Sequence, residues 1–222
     1  MVKPMKTILH TLLPADMTLS RPLPGIQPVR GSWLFIDEAY TDQMQLRADL
    51  LAQNRNAVLQ SHPDVHAAAQ ELLHTVLRLL PTLGFRMAQS HVICPDNRRV
   101  DINTDEPLAT LGHLVQCDFC LLDKEQDEHV LKAGLLCFPA SWRLCEKFNR
   151  PLSLIHNPVP EYDGRLTRRV QRLFDAVRPD APLWRFNQLW YDDPALFQPA
   201  QGLACIVAPD DTIEVTFAPG NL

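Results

Sequence analysis

Apolar residues recur at helical spacing through the first third of the chain. Residues 33–60 carry the pattern weakly, and residues 61–81 carry it strongly up to Pro81. A repeat of about 3.6 residues is typical of amphipathic helices. Pro63 and Asp64 are favourable residues for the start of the second helix. The pattern therefore predicts a helical hairpin at residues 33–81.

The middle of the chain has the alternation of apolar and polar residues that half-buried strands show. Residues 85–93 and 98–102 predict a hairpin whose turn contains Pro, Asp and Asn. Residues 113–122 and 130–138 predict a longer antiparallel pair. The charged residues 123–128 between them predict a solvated turn.

Further helices and strands complete the chain without a regular βα alternation. Helices are predicted at residues 108–112, 141–148 (with Ser141 as cap) and 163–177 (with Asp163 as cap). Strands are predicted at residues 184–191, 205–207 and 213–217. This order indicates an α+β fold around an antiparallel sheet. We predict one domain over residues 33–222, with residues 33–81 as its helical N-terminal extension. The proline-rich residues 1–32 predict an extended arm.

Composition narrows the class of protein. The net charge is −5 and the isoelectric point is near 5.9, so the overall field does not favour nucleic acid or an anionic membrane. No signal peptide or membrane span is evident. Six cysteines at irregular spacing are typical of reduced thiols. We expect a soluble cytoplasmic protein.

His156 is the first candidate for chemistry. It lies between a short apolar run and a loop that contains Pro158 and Pro160. Proline restricts its own backbone and that of the preceding residue, so this histidine is held firmly. A neutral imidazole is a good ligand for iron, zinc or copper. A histidine that only hydrogen-bonds to the backbone has the same spacing, and spacing alone favours that interpretation.

Other candidates have ordinary explanations from spacing alone. Cys117 and Cys120 form a C-x-x-C motif inside a β-like run and are assigned to packing. His62 and His66 have no evident third ligand and are assigned to the surface. An arginine stripe follows His156 and suits carboxylates, an acidic partner or a solvated helix face: Arg165, Arg168, Arg169 and Arg172. Aromatic residues cluster between residues 138 and 190. This is typical both of the walls of a cofactor pocket and of an ordinary hydrophobic core.

Several collinear motifs resemble the haem-dependent oxidative N-demethylase-like family. They are WLFIDEAY from Trp33, ELL from Glu71, LGHLVQ from Leu111, CFP with Trp142, EK at Glu146, I-H-x-P-V-P-x-Y from Ile155 and W-R-x-N from Trp184. The resemblance covers residues 30–197. It implies a PAS-like α+β fold that encloses haem b, with His156 as the axial iron ligand and no separate metal.

The resemblance also implies the chemistry of the site. It implies a monooxygenase or oxidative demethylase that uses dioxygen to oxidise a small methylated amine. The electrons are expected to come from a separate flavin and iron–sulfur reductase subunit. By neighbourhood, Arg165 and Arg169 are expected near the haem propionates. The pocket candidates are Trp142, Tyr162, Trp184 and Asn187.

The chain also departs from the family pattern. Cys117 replaces a usual acidic residue, Gln188 replaces a usual tryptophan, and residues 198–222 lack an R-x-E-R-Q-T-L-like run. The alternatives are therefore a haem- or small-ligand-binding PAS-like sensor module without turnover, and a structural or partner-binding domain.

Overall fold

The structure is a computed structural model that describes residues 26–139, 142–156, 164–191, 195–199 and 208–216. Within these ranges, side chains are not described for residues 27, 164–165, 185–191 and 208–216. The predicted caps Ser141 and Asp163 and the strand predicted at residues 205–207 lie outside the described residues.

Seven α-helices are described: α1 (Tyr40–Gln53), α2 (Arg55–Val58), α3 (His66–Leu79), α4 (Pro107–Leu114), α5 (Leu144–Lys147), α6 (Leu152–Ile155) and α7 (Gly164–Ala176). Short 3₁₀ turns flank α3, at Pro63–Val65 and Leu80–Leu83. None of the helices in the described ranges is long and apolar enough to cross a bilayer.

Nine strands are described: β1 (Gln27–Pro28), β2 (Leu59–Ser61), β3 (Arg86–Met87), β4 (His91–Ile93), β5 (Arg99–Asp101), β6 (Phe119–Glu125), β7 (Glu128–Leu135), β8 (Leu183–Tyr191) and β9 (Ala208–Thr216). They form three antiparallel sheets in the orders β1-β8-β9, β2-β7-β6 and β3-β4-β5. The predicted α+β class is confirmed.

The predicted N-terminal hairpin is correct in its two helices and wrong in how they pack. Both α1 and α3 pack against α4, and β2 separates them along the chain. The approach of α4 is close because a Cβ at Gly112 would lie 2.9 Å from Leu51 Cδ1 and 3.2 Å from Leu135 Cδ1.

The central pair differs from the prediction at both ends. β6 begins at Phe119 and not at His113, since His113 belongs to α4. The charged stretch is mostly strand, and the turn is only Gln126 and Asp127, with Gln126 at φ 54°. Charged side chains are compatible with a strand wherever the strand extends into solvent.

The hairpin at residues 85–102 is confirmed and contains an additional turn, because its first predicted strand is divided into β3 and β4. Part of the predicted arm is ordered as a strand. β1 pairs with β8, and Val29 N–H donates to the Pro182 carbonyl at 2.9 Å. The division of the chain into an arm and a domain stays a prediction.

Arg47 connects α1 to the start of β6. Its guanidinium is fully buried, lies 2.6 Å from Asp118 Oδ1 and donates to the carbonyls of Gln116, Cys117 and Gly112. Asp118 also accepts the backbone N–H groups of residues 137 and 138, at 2.9 and 2.7 Å. One ion pair therefore joins a helix, two strand ends and a loop.

Candidate functional site

A β-bulge gives β7 a second apolar face. Leu121 pairs with Ala133 and Leu122 pairs with Leu131, which leaves Lys132 as an extra residue on β7. Because side chains alternate along a strand, the extra residue moves Leu131 to the face opposite Ala133. The residues on that face form what we call the second apolar cluster: Leu122, Leu131, Leu136, Trp142, Leu144 and Ile155.

The short helix α6 lies beside the start of β7. Pro151, which precedes α6, forms a bridge with Val130. Ser153 is the second residue of α6, and its Oγ donates a hydrogen bond to Glu128 Oε2 at 2.8 Å. Ile155, the last residue of α6, packs in the second apolar cluster. These contacts fix α6, and with it His156, against the sheet.

His156 caps the C-terminal end of α6 and is half-buried. Its Nδ1 lies 2.8 Å from the Leu152 carbonyl oxygen. A carbonyl can only accept a hydrogen bond, so Nδ1 carries the proton and the lone pair of the neutral ring is on Nε2. Metal-binding histidines are commonly oriented by such a bond from the other ring nitrogen. The geometry therefore gives His156 the tautomer of a ligand through Nε2.

Helix α7 covers the same face of the sheet. Gln171 Oε1 accepts two hydrogen bonds from His129, from the backbone N–H at 3.0 Å and from Nδ1 at 2.7 Å. The rings of His129 and Phe174 lie 5.3 Å apart, and Lys124 pairs with Asp175. His129 is two residues before Leu131, the β7 residue of the second apolar cluster, so the two side chains point to the same face. The end of α6, which His156 caps, and α7 therefore contact the same face of β7.

Trp142 lies at the border of this region. It is half-buried in the second apolar cluster, and Lys147 Nζ is 4.6 Å from its ring centroid. Burial lowers the pKa of Lys147. The adjacent Leu144 is almost fully buried against Gly134 of β7. The structure thus brings Trp142 to the face of the sheet that carries His156.

The remaining predicted site residues are placed less fully. Trp184 is half-buried in β8, where it pairs with residue 27. Arg169 is exposed on α7. Arg165 and Asn187 lie in α7 and β8, but their side chains are not described. Tyr162 lies outside the described residues, as do residues 157–160 of the proline-braced loop.

The cysteine and histidine motifs do not form a metal site in the described ranges. Cys117 packs on the main core, and burial raises its pKa to about 11, whereas Cys120 is exposed. The assignment to packing is thus confirmed for Cys117, which is partly buried, and is wrong for Cys120. His62 caps the turn before α3 and pairs with Asp64 at 3.1 Å. Among the described residues, no group of three His, Cys, Asp or Glu side chains is placed to hold a metal ion.

Two clefts are present on the described surface. One, of about 330 Å³, is lined by polar residues around His62 and Glu106, and the other, of about 250 Å³, adjoins Trp142 and Leu136. Ligand pockets for drug-sized molecules usually reach 300–1,000 Å³, and neither of these clefts is lined by His156.

Sequence reasoning missed the pair of His129 and Gln171. His129 follows the charged turn, where a solvated side chain is expected, and Gln171 is polar on an amphipathic helix. Its position does give one signal, because Gln171 is three positions, or about one helical turn, before the apolar Phe174 of α7. Only the packing of α7 on β7 shows that both residues are buried.

The fold and the site define an α+β protein in which a half-buried histidine, bonded through Nδ1 to the Leu152 carbonyl, lies beside an apolar sheet face. The sequence model of a family described as haem-dependent oxidative N-demethylase, alpha subunit-like, matches residues 25–217. The match covers most of the chain, and the chain belongs to this family. No curated protein in the comparison matches the chain.

Proposed function

We propose that this chain is the haem-binding subunit of an oxidative N-demethylase that acts on a small methylated amine. Membership of the family, whose description names both the haem and the reaction, supports this function. The observation that carries the proposal for this chain is the bond between His156 Nδ1 and the Leu152 carbonyl. It provides an imidazole whose Nε2 has the lone pair that an iron ligand needs.

The described residues fit a haem in their chemistry. His156 would hold the iron, and the second apolar cluster would contact an apolar macrocycle and exclude water. A buried amide nitrogen of Gln171 has no hydrogen-bond partner in the part of the chain that the structure describes, so this face also has an unused donor there. We propose haem b in a PAS-like arrangement of the sheet and its helices, within a cytoplasmic protein.

A bound haem supplies the redox chemistry of dioxygen, by which a methylated amine loses a methyl group as formaldehyde. The chain's own residues would bind and orient the amine. Trp142 is proposed to contact the amine, since an indole ring binds an aliphatic ammonium ion on its face. Tyr162, Trp184 and Asn187 complete the proposed pocket lining.

Arg165 and Arg169 are proposed to bind the haem propionates. Arg169 is exposed on α7, the helix that covers the site face, and a carboxylate that reaches solvent at the rim of a pocket is within the range of such a side chain. The description of the family as alpha subunit-like implies a partner subunit. We propose that this partner is the flavin and iron–sulfur reductase that supplies the electrons.

Formaldehyde release tests the proposed function. Hemin-loaded protein should consume dioxygen and release formaldehyde from dimethylamine when a reducing system is added, and His156→Ala should reduce the rate at least tenfold. His74→Ala is the matched control, because His74 is exposed on α3. Hemin binding without formaldehyde from any small methylated amine would contradict the enzyme and leave the sensor as the function.

A further inference from the structure

The Gln171 side chain is only 7% exposed and has a fixed orientation. Its Oε1 accepts from the His129 backbone N–H at 3.0 Å and from His129 Nδ1 at 2.7 Å. Exchange of the amide oxygen and nitrogen would place an NH₂ group against a backbone N–H, which is repulsive. The two bonds to His129 therefore fix Nε2 as the atom that points away from β7.

The Nε2 donor of Gln171 has no hydrogen-bond partner among the described residues. A buried donor without an acceptor costs about 1 to 3 kcal/mol, and buried polar groups in proteins are nearly always paired. The protein also holds the donor in place with two hydrogen bonds and with the ring of Phe174 beside His129. A side chain held in this way is suited to donate to a molecule that is bound there.

Gln171 lies on the same face of β7 as the end of α6, which His156 caps. Gln171 bonds to His129, and Ile155 of α6 packs in the second apolar cluster with Leu131. Leu131 is two residues after His129, so both side chains lie on one face of β7. His156 directly follows Ile155.

We propose that the Gln171 amide donates a hydrogen bond to an oxygen atom of the ligand that the His156 site binds, with His129 as the residue that positions the amide. This inference rests on the proposed function. Two sources supply such an oxygen in a haem site: a propionate carboxylate, or a small molecule bound to the iron. Both accept a hydrogen bond from an amide, and the test distinguishes them.

Two variants separate the donor from the rest of the side chain. Gln171→Glu keeps an oxygen acceptor for His129 and removes the NH₂ donor, whereas Gln171→Leu removes both. Gln45→Leu is the matched control, because Gln45 is an exposed glutamine of α1 whose amide donates to Asp49 Oδ1 at 3.0 Å. Circular dichroism of each variant verifies folding, and Gln171→Glu carries the test if Gln171→Leu does not fold.

Hemin affinity and the C–O stretching frequency of the reduced protein with carbon monoxide are the two measurements. If the acceptor is a propionate, both Gln171 variants should bind hemin roughly tenfold more weakly than wild type. Wild type should also prefer hemin over its dimethyl ester, which lacks the carboxylates, and both variants should lose this preference. For an acceptor on the iron, affinity is retained and the C–O stretch moves to higher frequency. Gln45→Leu matches wild type in both.

The outcomes separate this inference from the proposed function. If wild type binds no hemin, the proposed function fails and this inference fails with it. If wild type binds hemin through His156 and both Gln171 variants match wild type in affinity, ester preference and C–O stretch, only the role of Gln171 is overturned.

Discussion

The guanidinium of Arg47 is a full positive charge inside the protein, and it is matched by several acceptors. Asp118 neutralises it at 2.6 Å, and the Phe138 ring lies 5.1 Å from its central carbon. Burial of a charge is tolerated only with such compensation. Removal of one member of the pair leaves the other desolvated and unpaired.

We predict that Arg47→Met lowers the free energy of unfolding by roughly 3 to 5 kcal/mol, measured by urea denaturation. The comparison is Arg55→Met, which breaks an exposed pair with Glu106 and should cost less than about 1 kcal/mol. Equal losses for the two variants would show that burial of the Arg47 pair does not determine its contribution.

Single residues differ in how far the sequence predicts them. His156 is predicted from the two prolines in the loop that follows it and from a motif that resembles a known family. Arg47 and Asp118 are 71 positions apart, and no local pattern connects them. Gln171 was missed because a search for apolar periodicity assigns polar residues of an amphipathic helix to solvent, and only the packed structure shows its burial.

Among the elements, α5 depends on the absence of a side chain in β7. A Cβ at Gly134 would lie 2.5 Å from Leu144 Cδ1. Leu144 is only 1% exposed and is held in the second apolar cluster. The helix that carries the cluster leucine can therefore approach β7 only where the strand has glycine.

We predict that Gly134→Ala destabilises the protein by about 1 to 3 kcal/mol, since the new methyl group overpacks the contact with Leu144. Leu144→Ala alone should cost about 2 to 5 kcal/mol through a cavity. Because the double variant relieves the clash, it should cost less than the sum of the single variants. Additive losses in a double-mutant cycle would show that the two residues are not in contact.

The elements were predicted where their pattern is long and local. α3, α4, α7 and β8 follow the predicted positions closely, because each has its own periodicity or turn residues. β2 was missed since its three residues continue a helical apolar pattern. The apolar run of β7 contains no sequence signal for the bulge at Lys132. The second apolar face of the sheet could therefore not be predicted.

At the scale of the whole molecule, burial of thiol and phenol groups makes the free energy of unfolding vary with pH in the alkaline range. Burial raises the pKa of Cys117 and of Cys137 from 9.0 to about 11 and also raises the pKa of Tyr40. The unfolded chain therefore loses these protons at lower pH than the folded chain. The resulting stability is fully present below pH 9 and is lost as the pH rises toward 11.

We predict that the free energy of unfolding falls between pH 9 and pH 11, with roughly 2 to 3 kcal/mol of the loss due to Cys137. Urea denaturation across this range should show a shallower fall for Cys137→Ala than for wild type. Cys145→Ala, which removes an exposed thiol, should keep the wild-type slope. Parallel curves for all three proteins would rule out the contribution of Cys137.

The central claim for the whole molecule is that His156 holds a haem iron, and the absorption spectrum of the hemin-loaded protein tests it most directly. Wild type and His74→Ala should give the same Soret band of a histidine-ligated haem. His156→Gly should lose that band and regain it when imidazole is added, because free imidazole replaces the missing ligand. A wild-type spectrum in His156→Gly, or no Soret band in wild type after hemin is added, would contradict the account.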